Sequence, residues 1–167
     1  ARRLLRHLRL EVAVEGAAHV PTSERYAVVS SHASHLDWAV LLGHFPSPLR
    51  FIAKKELVAM PIVGSYLRRR GVLIDRRRGR EAKQAIGAAA QDGQPWPILI
   101  FPEGTRSPDG TLQPFKTGGL RLLLEADAAL LPVRIGGTFE AMPRQGWQIK
   151  TDGRLRITDP RLTIHPD

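Results

Sequence analysis

Short apolar, β-rich runs recur along the chain, each closed by turn residues, with helix-forming stretches between them. The runs fall at residues 10–14, 26–30, 49–53, 72–74, 98–101 and 131–135, with weaker ones at 155–158 and 162–164. Helices are expected at 35–45, at 61–70 behind Pro61, at 80–91 before Gly93, and at 119–129, where Leu120, Leu123 and Leu124 keep helical spacing. This alternation predicts an α/β fold: a largely parallel central sheet flanked by helices on both faces. The run at 98–101 has no polar face, so it belongs in the sheet interior. In such folds, sites gather at the carboxyl ends of strands. Two polar clusters begin at such points: His32 after the run at 26–30, and Glu103 after the run at 98–101.

Composition narrows the possibilities. The 167 residues, 43% hydrophobic and without internal repeats, fit one domain spanning 1–167. The absence of cysteine excludes disulfides, Cys-ligated zinc and thiolate nucleophiles. No apolar run approaches the roughly 20 residues that span a bilayer, and the uncharged stretch 38–49 carries Pro46 and Pro48. The stretch beginning at Ala1 has no signal-peptide layout and is expected to be a segment of a longer chain. Residues 1–83 hold 16 Lys/Arg against 7 Asp/Glu, whereas residues 84–167 hold 9 of each, so the whole excess of +9 sits in the first half. Such a field suits an anionic partner: nucleic acid, an anionic membrane or a phosphorylated substrate. A solvated arginine-rich surface accounts for it equally.

In the first cluster, Ser31-His32-Ala33-Ser34-His35-Leu36-Asp37, His32 leaves a strand and Asp37 falls in the first turn of the next helix. Five residues on a continuous helix would set the two side chains about 140° apart, so they meet only across a turn at Ala33-Ser34. Asp37 would then accept from one imidazole nitrogen, fixing the tautomer and leaving the other nitrogen as a base. Two alternatives stand beside this: Ser34-x-x-Asp37 as a helix-capping arrangement, and a metal site using His32, His35 and Asp37. In the second cluster, residues 101–107, Gly104 permits close backbone approach, and Thr105, Ser107 and main-chain amides can donate to an oxyanion. Arg106 offers a planar fork for phosphate. Glu103 would hold Arg106 or another arginine, or accept a substrate hydroxyl. An ordinary surface turn with a Glu–Arg pair remains the plain alternative. Residues 115–119, which include Lys116, form a further cationic, amide-rich turn.

Together these clusters resemble the glycerolipid acyltransferase superfamily, and within it the lysophosphatidic acid acyltransferases. His32-x4-Asp37 is similar to the first signature block, and residues 71–76 to the second, with Arg76 at the family's arginine. Residues 101–107 match the third, and Leu131-Pro132-Val133 resembles the fourth. The resemblance covers roughly residues 9–165. Ser31 stands where the family usually has asparagine, and the hydrophobic N-terminal helices usual in the family do not occur in this stretch. Membrane anchoring is then expected from another segment, another domain or peripheral contacts.

The resemblance implies transfer of a fatty acyl group from acyl-CoA or acyl carrier protein to the hydroxyl of 1-acylglycerol 3-phosphate, giving phosphatidic acid. It casts His32 as general base and Asp37 as its orienting partner, with no covalent acyl-enzyme, no metal and no cofactor beyond the thioester co-substrate. Arg76, Glu103, Gly104, Thr105 and Arg106 would form the glycerol-phosphate site, and Pro132 would shape the acyl-donor side. Residues 1–10, in which Arg2, Arg3, Arg6 and Arg9 interleave with leucines, form a basic amphipathic lead-in suited to an anionic membrane. The expected location is the cytoplasmic face of the cell membrane. Another acceptor, such as glycerol 3-phosphate, another lysophospholipid or an amino-acid lysolipid, would use the same chemistry, with residues after Ile74 and around 142–147 deciding between them. A nucleic-acid-binding domain would explain the charge but not residues 101–107, and no nucleic acid is expected as partner.

Overall fold

The computed structural model describes residues 1–22, 24–61, 63–75, 77–146, 149–151 and 153–158. Its strands are β1 (Glu11–Glu15), β2 (Tyr26–Ser30), β3 (Arg50–Lys54), β4 (Val72–Ile74), β5 (Ile98–Ile100), β6 (Ala129–Gly136) and β7 (Arg154–Thr158). Its α-helices are α1 (Arg2–His7), α2 (Asp37–His44), α3 (Val63–Arg70), α4 (Gly79–Gln91), α5 (Thr117–Leu124) and α6 (Thr138–Ala141). The strands form one sheet in the order β1-β7-β6-β2-β5-β3-β4. Every neighbouring pair is parallel except β6 with β7.

Alternate residues of the inner strands feed two separate cores, as strand geometry requires. Val28, Leu99, Leu131 and Val133 pack on one face with Leu5 of α1, Val40 and Leu41 of α2, and Leu67 of α3. Ala27, Ile98, Ile100 and Leu130 pack on the other with Ile86 and Ala90 of α4 and Leu123 of α5. Because both faces are covered, β2 and β5 read as near-continuous apolar runs, and β5 is buried throughout between β2 and β3. The edge strand β1 is largely exposed and carries a glutamate at each end, a charge pattern that discourages further strand pairing.

The helix expected at 119–129 is shorter, running from Thr117 to Leu124. Asp127 takes a left-handed φ of 55°, and the amides of Ala126 and Ala128 both return to the Leu123 carbonyl, closing the helix end. Ala129 therefore opens β6, although leucine spacing had assigned it to the helix. Residues 35–45 contain a helix only over Asp37–His44, and the one expected from Pro61 begins at Val63, after a 3₁₀ turn at Lys55–Ala59. Helices α1 and α6 were not anticipated. The strand expected at 162–164 lies outside the described residues. Among the described residues, no helix is long and apolar enough to cross a membrane.

Parallel pairing brings the site together. Val29 of β2 stands opposite Ile100 of β5 on one side and Pro132 of β6 on the other. The segments that leave these strands, beginning at Ser31 and Phe101, therefore emerge side by side at one edge of the sheet.

Candidate active site

The chain turns at Ala33-Ser34 between β2 and α2, and Asp37 folds its carboxylate back into that turn. Oδ2 accepts from the main-chain amides of Ala33 and Ser34 at 2.8 and 2.9 Å and lies 2.8 Å from His32 Nδ1. Oδ1 accepts the Thr138 hydroxyl at 2.6 Å. Asp37 is wholly buried, and four donors on two oxygens are what a desolvated carboxylate requires. An oxygen already accepting two amides faces His32 as an acceptor, so Nδ1 carries the ring proton and Nε2 keeps its lone pair. Nε2 has no hydrogen-bond partner among the described residues. The imidazole stacks on Phe101, with centroids 4.1 Å apart and planes 18° from parallel.

The capping alternative is realised in part and coexists with this pairing. The Ser34 hydroxyl accepts from the Leu36 amide at 3.0 Å and donates to the Met142 carbonyl at 2.7 Å, steadying the entry to α2. Among the described residues, no group of three or more His, Asp or Glu side chains is placed to hold a metal.

Residues 101–107 hold the histidine by its main chain. Glu103 Oε1 accepts the His32 amide at 2.8 Å, and the Ser107 amide donates to the His32 carbonyl at the same distance. Oε2 of Glu103 accepts from the Gln113 amide at 3.1 Å. Glu103 is buried and makes no ion pair with Arg106 among the described residues. This carboxylate fastens two loops to each other.

Gly104 has a φ of +70°, and a Cβ there would fall 3.1 Å from the Lys116 Nζ, so Lys116 lies directly over this glycine. Thr105 is exposed. Arg106 has its Nη1 buried with no hydrogen-bond partner among the described residues. Burial, reinforced by nearby Arg144 and opposed by Asp37, lowers the pKa of this guanidinium. A dry, unmatched donor on a cation is a place where an anion relieves an existing cost. His35 shares these surroundings: burial, then Arg106 and His32, hold its pKa below the usual histidine value, with Asp37 opposing. Arg76 lies outside the described residues.

His32 and Glu103 wall a cavity of about 500 Å³ whose floor includes Val29 and Pro132 and whose rim carries Leu112 and Phe115. Pro132 is thus placed on the same cavity as the histidine. Sequence spacing did not reveal Thr138, 101 residues from Asp37. Its only local signal is the Gly136-Gly137 pair before it, which marks a sharp turn at the end of β6.

Fold and site together define an α/β protein with a histidine–aspartate pair at the carboxyl edge of its sheet, facing a partly apolar cavity. The chain belongs to the acyltransferase family, whose model matches residues 11–136. It is 31% identical over 151 residues to 1-acyl-sn-glycerol-3-phosphate acyltransferase alpha of Mus musculus, covering 89% of this chain and 53% of that protein. It is 32% identical to the chloroplastic 1-acyl-sn-glycerol-3-phosphate acyltransferase LPAT1 of Arabidopsis thaliana, over 88% of this chain and 42% of the relative. The crystal structure of the 1-acyl-sn-glycerophosphate acyltransferase PlsC from Thermotoga maritima matches 99% of this chain and 66% of its own, with a TM-score of 0.86 and 32% identity. The chain spans about half the length of the curated relatives it matches.

Proposed function

We propose that this protein moves a fatty acyl group from acyl-CoA or acyl carrier protein to the free hydroxyl of 1-acylglycerol 3-phosphate, giving phosphatidic acid. The observation that carries this is the His32–Asp37 pair, with one ring nitrogen held at 2.8 Å and the other unpartnered, on the wall of a partly apolar cavity. His32 Nε2 takes the proton from the acceptor hydroxyl as its oxygen bonds to the thioester carbonyl carbon. The C–S bond then breaks, and the imidazolium returns the proton to the departing thiolate. Asp37, fixed by three further donors, orients the ring and stabilises the imidazolium. Arg106 receives the acceptor phosphate beside Gly104 and Thr105, with Arg76 as the second cation that the family resemblance implies. Glu103 acts here through His32, by holding its amide. Pro132 shapes the floor on the acyl-donor side. The protein would work at an anionic membrane surface on the cytoplasmic side, where its acceptor resides.

The test is thioester consumption by the purified chain with detergent-dispersed lysophosphatidic acid and palmitoyl-CoA or palmitoyl carrier protein. Wild type is expected to form phosphatidic acid, and His32→Ala to lose about 10²–10⁴ in rate while melting at the wild-type temperature. A folded His32→Ala variant with full turnover would remove His32 from the chemistry. Wild type that consumes neither thioester would overturn the reaction assigned to this chain.

A further inference from the structure

Helices α4 and α5 cover one face of the sheet over β2, β5, β3 and β4, and their cover stops at the first half of β6. Beyond it, the same face of β6, β7 and β1 carries no helix among the described residues. Alternation along β6 sends Leu130 into the covered core, Pro132 to the floor of the His32 cavity, and Arg134 and Gly136 onto the open face. Arg134, Gly136 and Gly137 line both the His32 cavity and a second groove of about 640 Å³ on the open face. The two adjoin along these shared residues and are taken together as one trough, and a Cβ at Gly136 would meet nothing within 4 Å.

Arginines floor the outer part of this trough. Arg156 stands opposite Gly136 across the antiparallel β6–β7 pair, and Arg154 lies two residues further out. Both begin β7 at the end of the sheet where β2 and β6 finish, so they share the edge on which His32 sits. Two strand spacings separate β2 from β7, about 10 Å. Arg134, Arg154 and Arg156 are all exposed. Arg134 and Arg154 make no side-chain hydrogen bond or ion pair among the described residues, while Arg156 reaches Glu15 at 3.6 Å, with both side chains exposed.

We propose that this arginine-floored sheet face binds the phosphates of coenzyme A, with the pantetheine arm lying along the trough so that the thioester reaches His32 past Pro132. The proposal rests on the acyltransferase reading and assigns a place to its donor. Thioester and phosphates sit at opposite ends of that arm, which matches a trough with the base at one end, Arg154 and Arg156 at the other, and Arg134 between them. The charge pattern favours the compact ligand over an acidic carrier protein. Glu11 and Glu15 rim the outer strand of the same face and would repel a broad acidic surface, whereas a small polyphosphate fits inside them.

The experiment pairs binding with kinetics on the purified full chain and an Arg154→Gln/Arg156→Gln variant. Free coenzyme A, titrated by calorimetry, is expected to bind wild type and to bind the variant about tenfold or more weakly. KM for palmitoyl-CoA should rise in parallel, with kcat and all parameters for the phosphate-free palmitoyl-pantetheine thioester unchanged. Glu11→Gln/Glu15→Gln should tighten coenzyme A binding, which guards against misfolding as the cause of a loss. Equal binding by wild type and the arginine variant overturns the site, as does wild type that binds no coenzyme A. A KM that rises for palmitoyl carrier protein but not for palmitoyl-CoA also overturns it, in favour of the carrier. The calorimetric arm does not depend on turnover, so failure of the site and failure of the acyltransferase reading give different results.

Discussion

Asp37 has no exposed surface, and its four donors include two amides of the loop it must shape. Asp37→Asn replaces an acceptor-only group with one that also donates, so either a main-chain amide or the imidazole loses its partner. The expected result is a fall of kcat by about 10²–10⁴ with loss of stability, read by turnover and thermal unfolding. Thr138→Val keeps the shape and removes only the hydroxyl on Oδ1. It should cost about 1–3 kcal/mol in denaturant unfolding and lower kcat with little change in KM, as befits a positioning residue. His35 titrates below the ordinary histidine value because burial and the nearby Arg106 and His32 disfavour its charged form. The unfolded chain therefore takes up this proton more readily, so the stability it contributes is present above about pH 6.5 and is lost as pH falls through the folded-state pKa. His35→Gln should flatten the decline of melting temperature between neutral and mildly acidic pH, and an unchanged slope would count against that assignment.

At the scale of elements, the strands were legible and several helix ends were not. The runs at 26–30 and 72–74 coincide with β2 and β4, because turn residues bound both sharply; β2 is apolar on both faces as an inner parallel strand, while the edge strand β4 keeps an apolar run although Leu73 is exposed. The end of α5 was hidden because Leu130 and Leu131 extend an apolar pattern that serves either period, and the stop depends on the backbone of Asp127. Asp127→Gly relieves the left-handed strain there and should raise stability by about 1 kcal/mol in denaturant unfolding. Helix α1 was read only as an amphipathic lead-in, since six residues hold a helix through the burial of Leu5 and not through propensity. The site divides in the same way. The His32–Asp37 meeting followed from the turn at Ala33-Ser34, whereas Glu103 grips an amide that no side-chain pattern reveals. The link from β6 to α6 rests on Gly137, whose φ is +82° and whose missing Cβ would fall 2.4 Å from the Arg154 carbonyl oxygen. Gly137→Ala should cost at least about 1–3 kcal/mol and, by shifting Thr138, lower kcat further than its stability loss explains.

Across the whole molecule, part of the positive excess of the first half rims one depression. Helices α1, α2 and α3 bound a depression of about 880 Å³ in which Trp38, Leu42 and Tyr66 are half-buried and Arg2, Arg3, Arg69 and Arg70 stand at the rim. Arg2 is tied to the Gly43 carbonyl and Arg70 stacks on Trp96 at 3.7 Å. Arg3 and Arg69 are exposed and have no such partner among the described residues. An apolar trough ringed by arginines suits a surface that is anionic outside and apolar beneath, and it lies against the helix that Asp37 begins. Basic side chains near an anionic leaflet contribute about 1 kcal/mol each. Arg3→Ala/Arg69→Ala should therefore weaken binding to phosphatidylglycerol-containing vesicles about thirtyfold at low salt. The difference from wild type should shrink as salt shortens the reach of these charges. Turnover on detergent-dispersed substrate should be unchanged, because neither residue lines the His32 cavity. Vesicle sedimentation across a salt series decides the matter. Equal partitioning of wild type and variant would place the membrane-facing surface elsewhere, and a parallel loss in detergent would show that the two arginines serve the site itself.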